Sequence, residues 1–197
     1  MLATMHPSVI LASTSRYRAQ LLERLEIPFE QVAPECDETP LPDETALALV
    51  ERLAHAKAAS VASEHPDKLV IGSDQVACCG SSILGKPGNH DTAVKQLQML
   101  SGNTVEFHTG LCVICNKVNK SMHSIATTTV EFKTLNDDQI ERYLQKDKPY
   151  DCAASFRSES YGSTIVKRIS SDDPTALIGL PVVRVAEYLD ELGLALP

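Results

Sequence analysis

The chain has 197 residues, 43% apolar and 22% charged, enough for one domain whose core needs no disulfide or metal staple, and this composition excludes disorder, collagen and coiled coil. With 18 Lys and Arg against 26 Asp and Glu the net charge is −8, which argues against a long nucleic acid as partner, because neutralising phosphates takes a basic surface. No apolar run reaches the roughly 18 residues of a membrane span, and the first eight residues lack a secretory pattern, so a cytoplasmic protein with reduced cysteines is expected.

Residues 9–12, Val-Ile-Leu-Ala, read as a short buried strand. A Ser-rich turn, 13–18, then enters a helix with Leu21, Leu22 and Leu25 on one face. A second strand follows over 28–33. Residues 34–42 form an acidic loop carrying Asp37 and Glu38. Asp43 is the expected cap of a long helix over 44–63, with Lys57 beside its buried stripe. An apolar strand over 69–76 has Asp74 near its end, and a turn-rich stretch, 80–89, contains Gly85-Lys86-Pro87. A helix over 91–100 precedes two β-rich runs, 104–116 and 121–133, that look like an antiparallel hairpin. Asn136 and Gln139 suit a capping box. Residues 150–156 could extend as a strand, and Pro181 and Gly193 bracket the last helix. Strands alternating with helices early and a hairpin late argue for α/β with a mixed sheet.

Walker, dinucleotide, nucleophile-elbow and zinc-protease motifs are absent. Three constellations remain. The turn from Ser13 to Arg18 offers backbone N–H groups, hydroxyls and a guanidinium fork suited to phosphate, although a plain Ser cap would use the same residues. Asp74, with Glu38 from the acidic loop, offers carboxylates for a divalent cation or for proton transfer; an Asp that caps a turn is the alternative. Lys57 and Lys86 offer point charges for phosphate, or are surface lysines with covered stems. Cys112 and Cys115 form a C-x-x-C pair inside a strand-like run, where a spacing of three sends the sulfurs to opposite faces. That is poor geometry for zinc or redox work.

These pieces, taken in order, resemble the Maf family of nucleoside triphosphate pyrophosphatases. The resemblance is carried by residues 10–22 (ILASTSRYRAQLL), Asp37-Glu38-Thr39, Ala54-His-Ala-Lys57, Ile71-Gly-Ser-Asp-Gln-Val76 and Leu84-Gly-Lys-Pro87. It continues through Ser101-Gly102, His108-Thr-Gly110, residues 153–159 and Gly179-Leu-Pro181, so it spans almost the whole chain.

The resemblance implies one Maf/ITPase-like domain over 1–197, with an elongated mixed sheet in two lobes around a central cleft. It implies hydrolysis of a nucleoside triphosphate to monophosphate and pyrophosphate with Mg²⁺ or Mn²⁺. Asp74 is then the proton acceptor, Glu38 and Asp74 stand at the metal, and Ser13, Arg18, Lys57 and Lys86 bind phosphates. Asp74-Gln75, Tyr17 and Glu159 are similar to the 7-methyl-GTP branch, with Tyr17, Gln75 and Glu159 setting specificity. A positively charged methylated base suits an aromatic face and an acid. A dTTP or UTP pyrophosphatase, and a nucleotide-binding regulator of cell division with little catalysis, are the alternatives. A homodimer is expected at family level alone. The chain departs from the family pattern in having Arg16 in place of Pro and Ala19 in place of a second Arg.

Overall fold

The computed structural model describes residues 8–196, so the secretory reading of the N-terminus falls, Ser8 apart, outside the described residues. Strand β1 (Val9–Ala12) is buried along its whole length, as its unbroken apolar run requires. It lies parallel between β2 (Phe29–Val32) and β3 (Leu69–Cys79). The crossovers are α1 (Arg16–Leu22) and α2 (Ala46–Ala62). The remaining elements are β4 (Ser82–Leu84), α3 (His90–Leu100), β5 (Thr104–Cys115), β6 (Lys120–Phe132), α4 (Asp137–Asp147), β7 (Val166–Ser171) and α5 (Val182–Glu191). The sheet runs β2-β1-β3-β5-β6-β7 with β4 paired to β3, and every contact beyond β3 is antiparallel. This is the mixed α/β sheet expected from the sequence.

Alternation along β3 assigns its two faces. Leu69 and Ile71 join the core with α1 and α5, through Leu21, Leu22, Val185 and Leu189. Val70 joins Ala54, Ala58 and Val61 of α2, and Val76 joins Leu49, Val50 and Leu53 of the same helix. Odd positions therefore face α1 and α5, and even positions up to Val76 face α2. Beyond that point Ala77 enters a separate core with α3, α4, Phe107, Phe132 and Phe156. β3 and β5 are long enough to serve both cores.

The approach of α2 to the sheet depends on two glycines. A Cβ on Gly72 would lie 2.4 Å from the Ala54 carbonyl oxygen, and one on Gly110 would lie 2.4 Å from that of Val50. No side chain fits there, so the helix backbone rests directly on β3 and β5.

Several local expectations are corrected. Residues 150–156 do not form a strand: the chain makes a tight 3-10 turn at Ala153–Ser155, where Ala154 and Ser155 have φ of 54° and 56°. Left-handed backbone cannot continue a pleat, and the turn is anchored by Ala154 N–H to the Gly85 carbonyl and Ser155 Oγ to Gln96 Oε1. Asp43 does not cap α2; Thr45 does, its Oγ1 accepting from Ala48 N–H. β4 and β7 have no counterpart in the sequence pattern, because β4 is only three residues long and β7 is exposed along its middle. Cys112 and Cys115 do fall in cores on opposite faces of the sheet.

Candidate active site

Asp74 stands in the middle of β3, not at its end. The expectation of a strand end was nonetheless close to a real discontinuity. β1 stops at Ala12, opposite Gly72, and the antiparallel β4 ends with Leu84 opposite Ala77. Along 73–76 that edge of β3 therefore has no strand beside it. A parallel strand ending beside a longer neighbour leaves the kind of crevice where α/β proteins bind ligands.

Asp74 faces α2, and Lys57 of α2 meets it there: Lys57 Nζ donates to Asp74 Oδ1 at 2.6 Å. Both residues are buried. The acidic loop supplies a third member, with Glu38 Oε1 at 3.0 Å from the same ammonium. One lysine so placed offsets much of the cost of burying a carboxylate. Among the described residues Asp74 Oδ2 and Glu38 Oε2 accept no hydrogen bond. Two such oxygens fit a divalent cation that completes its shell with phosphate oxygens and water, which is the habit of magnesium. The described residues contain no group of three His, Cys, Asp or Glu side chains that would hold a cation alone.

The neighbouring residues of β3 face the other way and pin a loop. Ser73 Oγ donates to the carbonyl of Gly110 at 2.8 Å, and lies 3.0 Å from that of Gly179. Gln75 Nε2 contacts Thr109 Oγ1 and the carbonyls of Ala176 and Leu177 at 2.9–3.1 Å. Thr109 Oγ1 also donates to Ala176 O. Arg18 joins this set, its Nε donating to Gly179 O at 2.8 Å and its Nη1 to Ser13 Oγ at 3.4 Å. Burial lowers the Arg18 pKa, and the nearby Asp74 and Glu38 carboxylates oppose that shift; the guanidinium stays charged. Ser15 caps α1, its Oγ accepting from the Arg18 backbone N–H.

The structure thus gathers Ser13, Arg18, Lys57, Glu38 and Asp74 at the gap in β3. Lys86 is exposed on the turn after β4 and, among the described residues, forms no hydrogen bond or ion pair with that group. Glu159 lies in a separate hollow of about 330 Å³ with Thr128, Ser171, Leu177 and Ile178. Tyr17 is engaged by arginines: its hydroxyl accepts from Arg16 Nη2 at 2.7 Å and Arg157 Nη2 at 2.6 Å. Both guanidinium carbons also lie over the ring, at 4.7 and 5.4 Å. The ring face expected for a methylated base is therefore held by Arg16 and Arg157. Gln75 does not line that hollow; it hydrogen-bonds the loop whose Leu177 walls it. Arg157 and Arg52 carry no role in the sequence reading. Arg157 lies inside a quoted motif, but nothing in its spacing marks it as a partner of Tyr17.

A mixed α/β sheet interrupted beside a buried Lys–Asp pair, with arginine and serine at the same opening, defines a protein built to bind a small anionic ligand. The chain belongs to the Maf family, whose model, described as Maf-like protein, matches residues 8–192. A relative from Nitrosococcus oceani named 7-methyl-GTP pyrophosphatase is 49% identical over 95% of this chain and 94% of its own. One of the same name from Aromatoleum aromaticum is 47% identical over 98% of this chain and 99% of its own. The solved Staphylococcus aureus Ham1 protein aligns over 64% of this chain and 72% of its own, with TM-score 0.48 and 12% identity, a likeness too slight to bear on function. No helix among the described residues is long and apolar enough to cross a membrane.

Proposed function

We propose that this chain hydrolyses 7-methyl-GTP to 7-methyl-GMP and pyrophosphate, with Asp74 as proton acceptor. The observation that carries the reading is the buried Asp74–Lys57–Glu38 contact at the gap in β3, in a chain whose relatives bear that activity in their names. Asp74 takes a proton from water through Oδ2, the oxygen free of Lys57. The water oxygen bonds to the α-phosphorus, and the bond from that phosphorus to the oxygen bridging to the β-phosphate breaks. Pyrophosphate leaves with the electron pair. Lys57 and Arg18 stabilise the negative charge that develops, in a setting partly shielded from water where such charges count for more. Ser13 offers a hydroxyl donor, and Lys86 reaches the outer phosphates from its exposed turn as a point charge.

Glu38 and Asp74 are the residues that would hold Mg²⁺ or Mn²⁺; when bound, the cation supplies charge neutralisation to the triphosphate. Glu159 accepts the N–H groups of the base, and the apolar walls of its hollow receive the ring. A positively charged base entering beside Glu159 meets Arg157, so Tyr17 acts through its hold on that arginine. The role assigned is removal of a modified nucleotide in the cytoplasm.

Hydrolysis in water enriched with heavy oxygen tests the chemistry. The label enters 7-methyl-GMP if attack is at the α-phosphorus. Label in the pyrophosphate would move the attack to the β-phosphorus and sink the step as written.

A further inference from the structure

Glu38 poses a physical problem. Its side chain is 59% exposed and sits on a loop outside any strand or helix, yet it must meet a buried ammonium at 3.0 Å. A loose loop would pay the entropy of ordering each time that contact formed. The loop is instead laced to α2. Arg52 Nε donates to Glu44 Oε1 at 2.6 Å and its Nη2 donates to Glu44 Oε2 at 2.8 Å. The same Nη2 reaches the carbonyl of Thr39, the residue after Glu38, at 3.1 Å. Glu44 Oε2 accepts in turn from the Leu41 backbone N–H at 3.0 Å, and Asp37 Oδ1 accepts from Thr39 N–H at 2.9 Å. The fork therefore grips the chain on the C-terminal side of Glu38 while an Asx turn closes the N-terminal side. Arg52 and Lys57 belong to one helix, so a single rigid element carries both the clamp and the ammonium that Glu38 meets.

We propose that Arg52, braced by Glu44, is a positioning residue that holds the acidic loop so that Glu38 reaches Lys57 at the active site. The proposal rests on the assignment of Glu38 to that site. A bidentate fork suits the task, because it fixes orientation as well as distance. Lysine keeps the charge and cannot span both Glu44 oxygens and the Thr39 carbonyl.

The test compares Arg52→Ala, Arg52→Lys, Glu38→Ala and the Arg52→Ala/Glu38→Ala double variant. Two readouts are taken: pyrophosphate release from 7-methyl-GTP, and amide hydrogen exchange over residues 37–44. Either Arg52 variant should speed exchange at Leu41 and Thr39. Arg52→Ala should lower kcat about tenfold, mid-range for side chains coupled in one network, and should cost nothing further once Glu38 is alanine. Unchanged exchange in Arg52→Lys, or losses that multiply in the double variant, would overturn the clamp. Should Arg52→Ala fail to fold, Arg52→Lys and its exchange pattern decide. Absence of turnover in the unaltered protein would instead overturn the functional reading, and the exchange comparison would still decide the clamp.

Discussion

The ammonium of Lys57 lies 2.6 Å from Oδ1 of Asp74, with both residues buried between α2 and the centre of β3. Each charge makes the burial of the other tolerable. Removing one partner leaves an uncompensated charge, at a cost of roughly 3 kcal/mol. Lys57→Met should lose about that much in denaturant unfolding and should lose turnover. Adding Asp74→Asn should restore most of the stability and none of the activity. A double variant no more stable than Lys57→Met would show that the pair is not what sets the cost.

Gly72 governs how near α2 comes to that pair. An added Cβ would meet the Ala54 carbonyl at 2.4 Å and the Ala58 nitrogen at 2.6 Å, both backbone atoms that cannot swing away. Gly72→Ala should destabilise by about 2 kcal/mol through overpacking. It should also lower turnover, because the helix that carries Lys57 is displaced. Gly85→Ala, where nothing lies within 4 Å, should leave stability near that of the unaltered chain. Equal melting temperatures for the two variants would contradict this packing.

How much of this could be read from the chain depends on whether a signal was local. Asn136 and Gln139 form the capping box that their spacing predicts, because both halves lie within one turn. The hairpin of β5 and β6 follows from two long β-rich runs. Residues 150–156 are apolar enough for a strand, but Ala154 takes a left-handed conformation to serve a core built by α3, α4 and β5. That is a tertiary demand with no local mark. β7 is exposed along its middle and carries no apolar alternation. The chemistry of Asp74 and Glu38 pairs them in the sequence and leaves Lys57 apart, and the meeting of all three depends on how β3, α2 and the acidic loop pack. The engagement of Tyr17 by Arg157 spans 140 positions of sequence, so nothing in the turn around Tyr17 announces it.

Glu44 gives a pH dependence whose sign is fixed. Hydrogen bonds from Arg52 and from the Leu41 backbone N–H pull its carboxyl down from 4.5 to about 2. A carboxylate whose folded pKa is depressed adds stability that is fully present above its unfolded value and is lost as pH falls through the folded one. The unaltered chain should therefore melt higher than Glu44→Gln at neutral pH. The gap should narrow below pH 4.5 and close near pH 2. A gap that widens with acid would reverse the assignment.

The Cys112 thiol is pushed up to about 11 by burial. At pH 8 only about one thiol in a thousand is then ionised, and the thiolate is the reactive form. Alkylation of the native protein at pH 8 should leave Cys112 unmodified, while the unfolded chain should label at all six cysteines. Rapid labelling of Cys112 in the folded state, or stoichiometric zinc retained by the purified protein, would revive the metal or redox reading of the C-x-x-C pair.

If Asp74 is the proton acceptor in cleavage of a methylated nucleotide, removing its carboxylate abolishes turnover. Pyrophosphate release is followed with Mg²⁺ or Mn²⁺ on 7-methyl-GTP, GTP, dTTP, UTP and CTP, for the unaltered chain and for Asp74→Ala. The expected result is preferential turnover of 7-methyl-GTP that falls at least a hundredfold in Asp74→Ala, the scale of losing a positioned general base. Preference for dTTP or UTP would contradict the assignment of Glu159 to the base, and near-full activity in Asp74→Ala would contradict the mechanism.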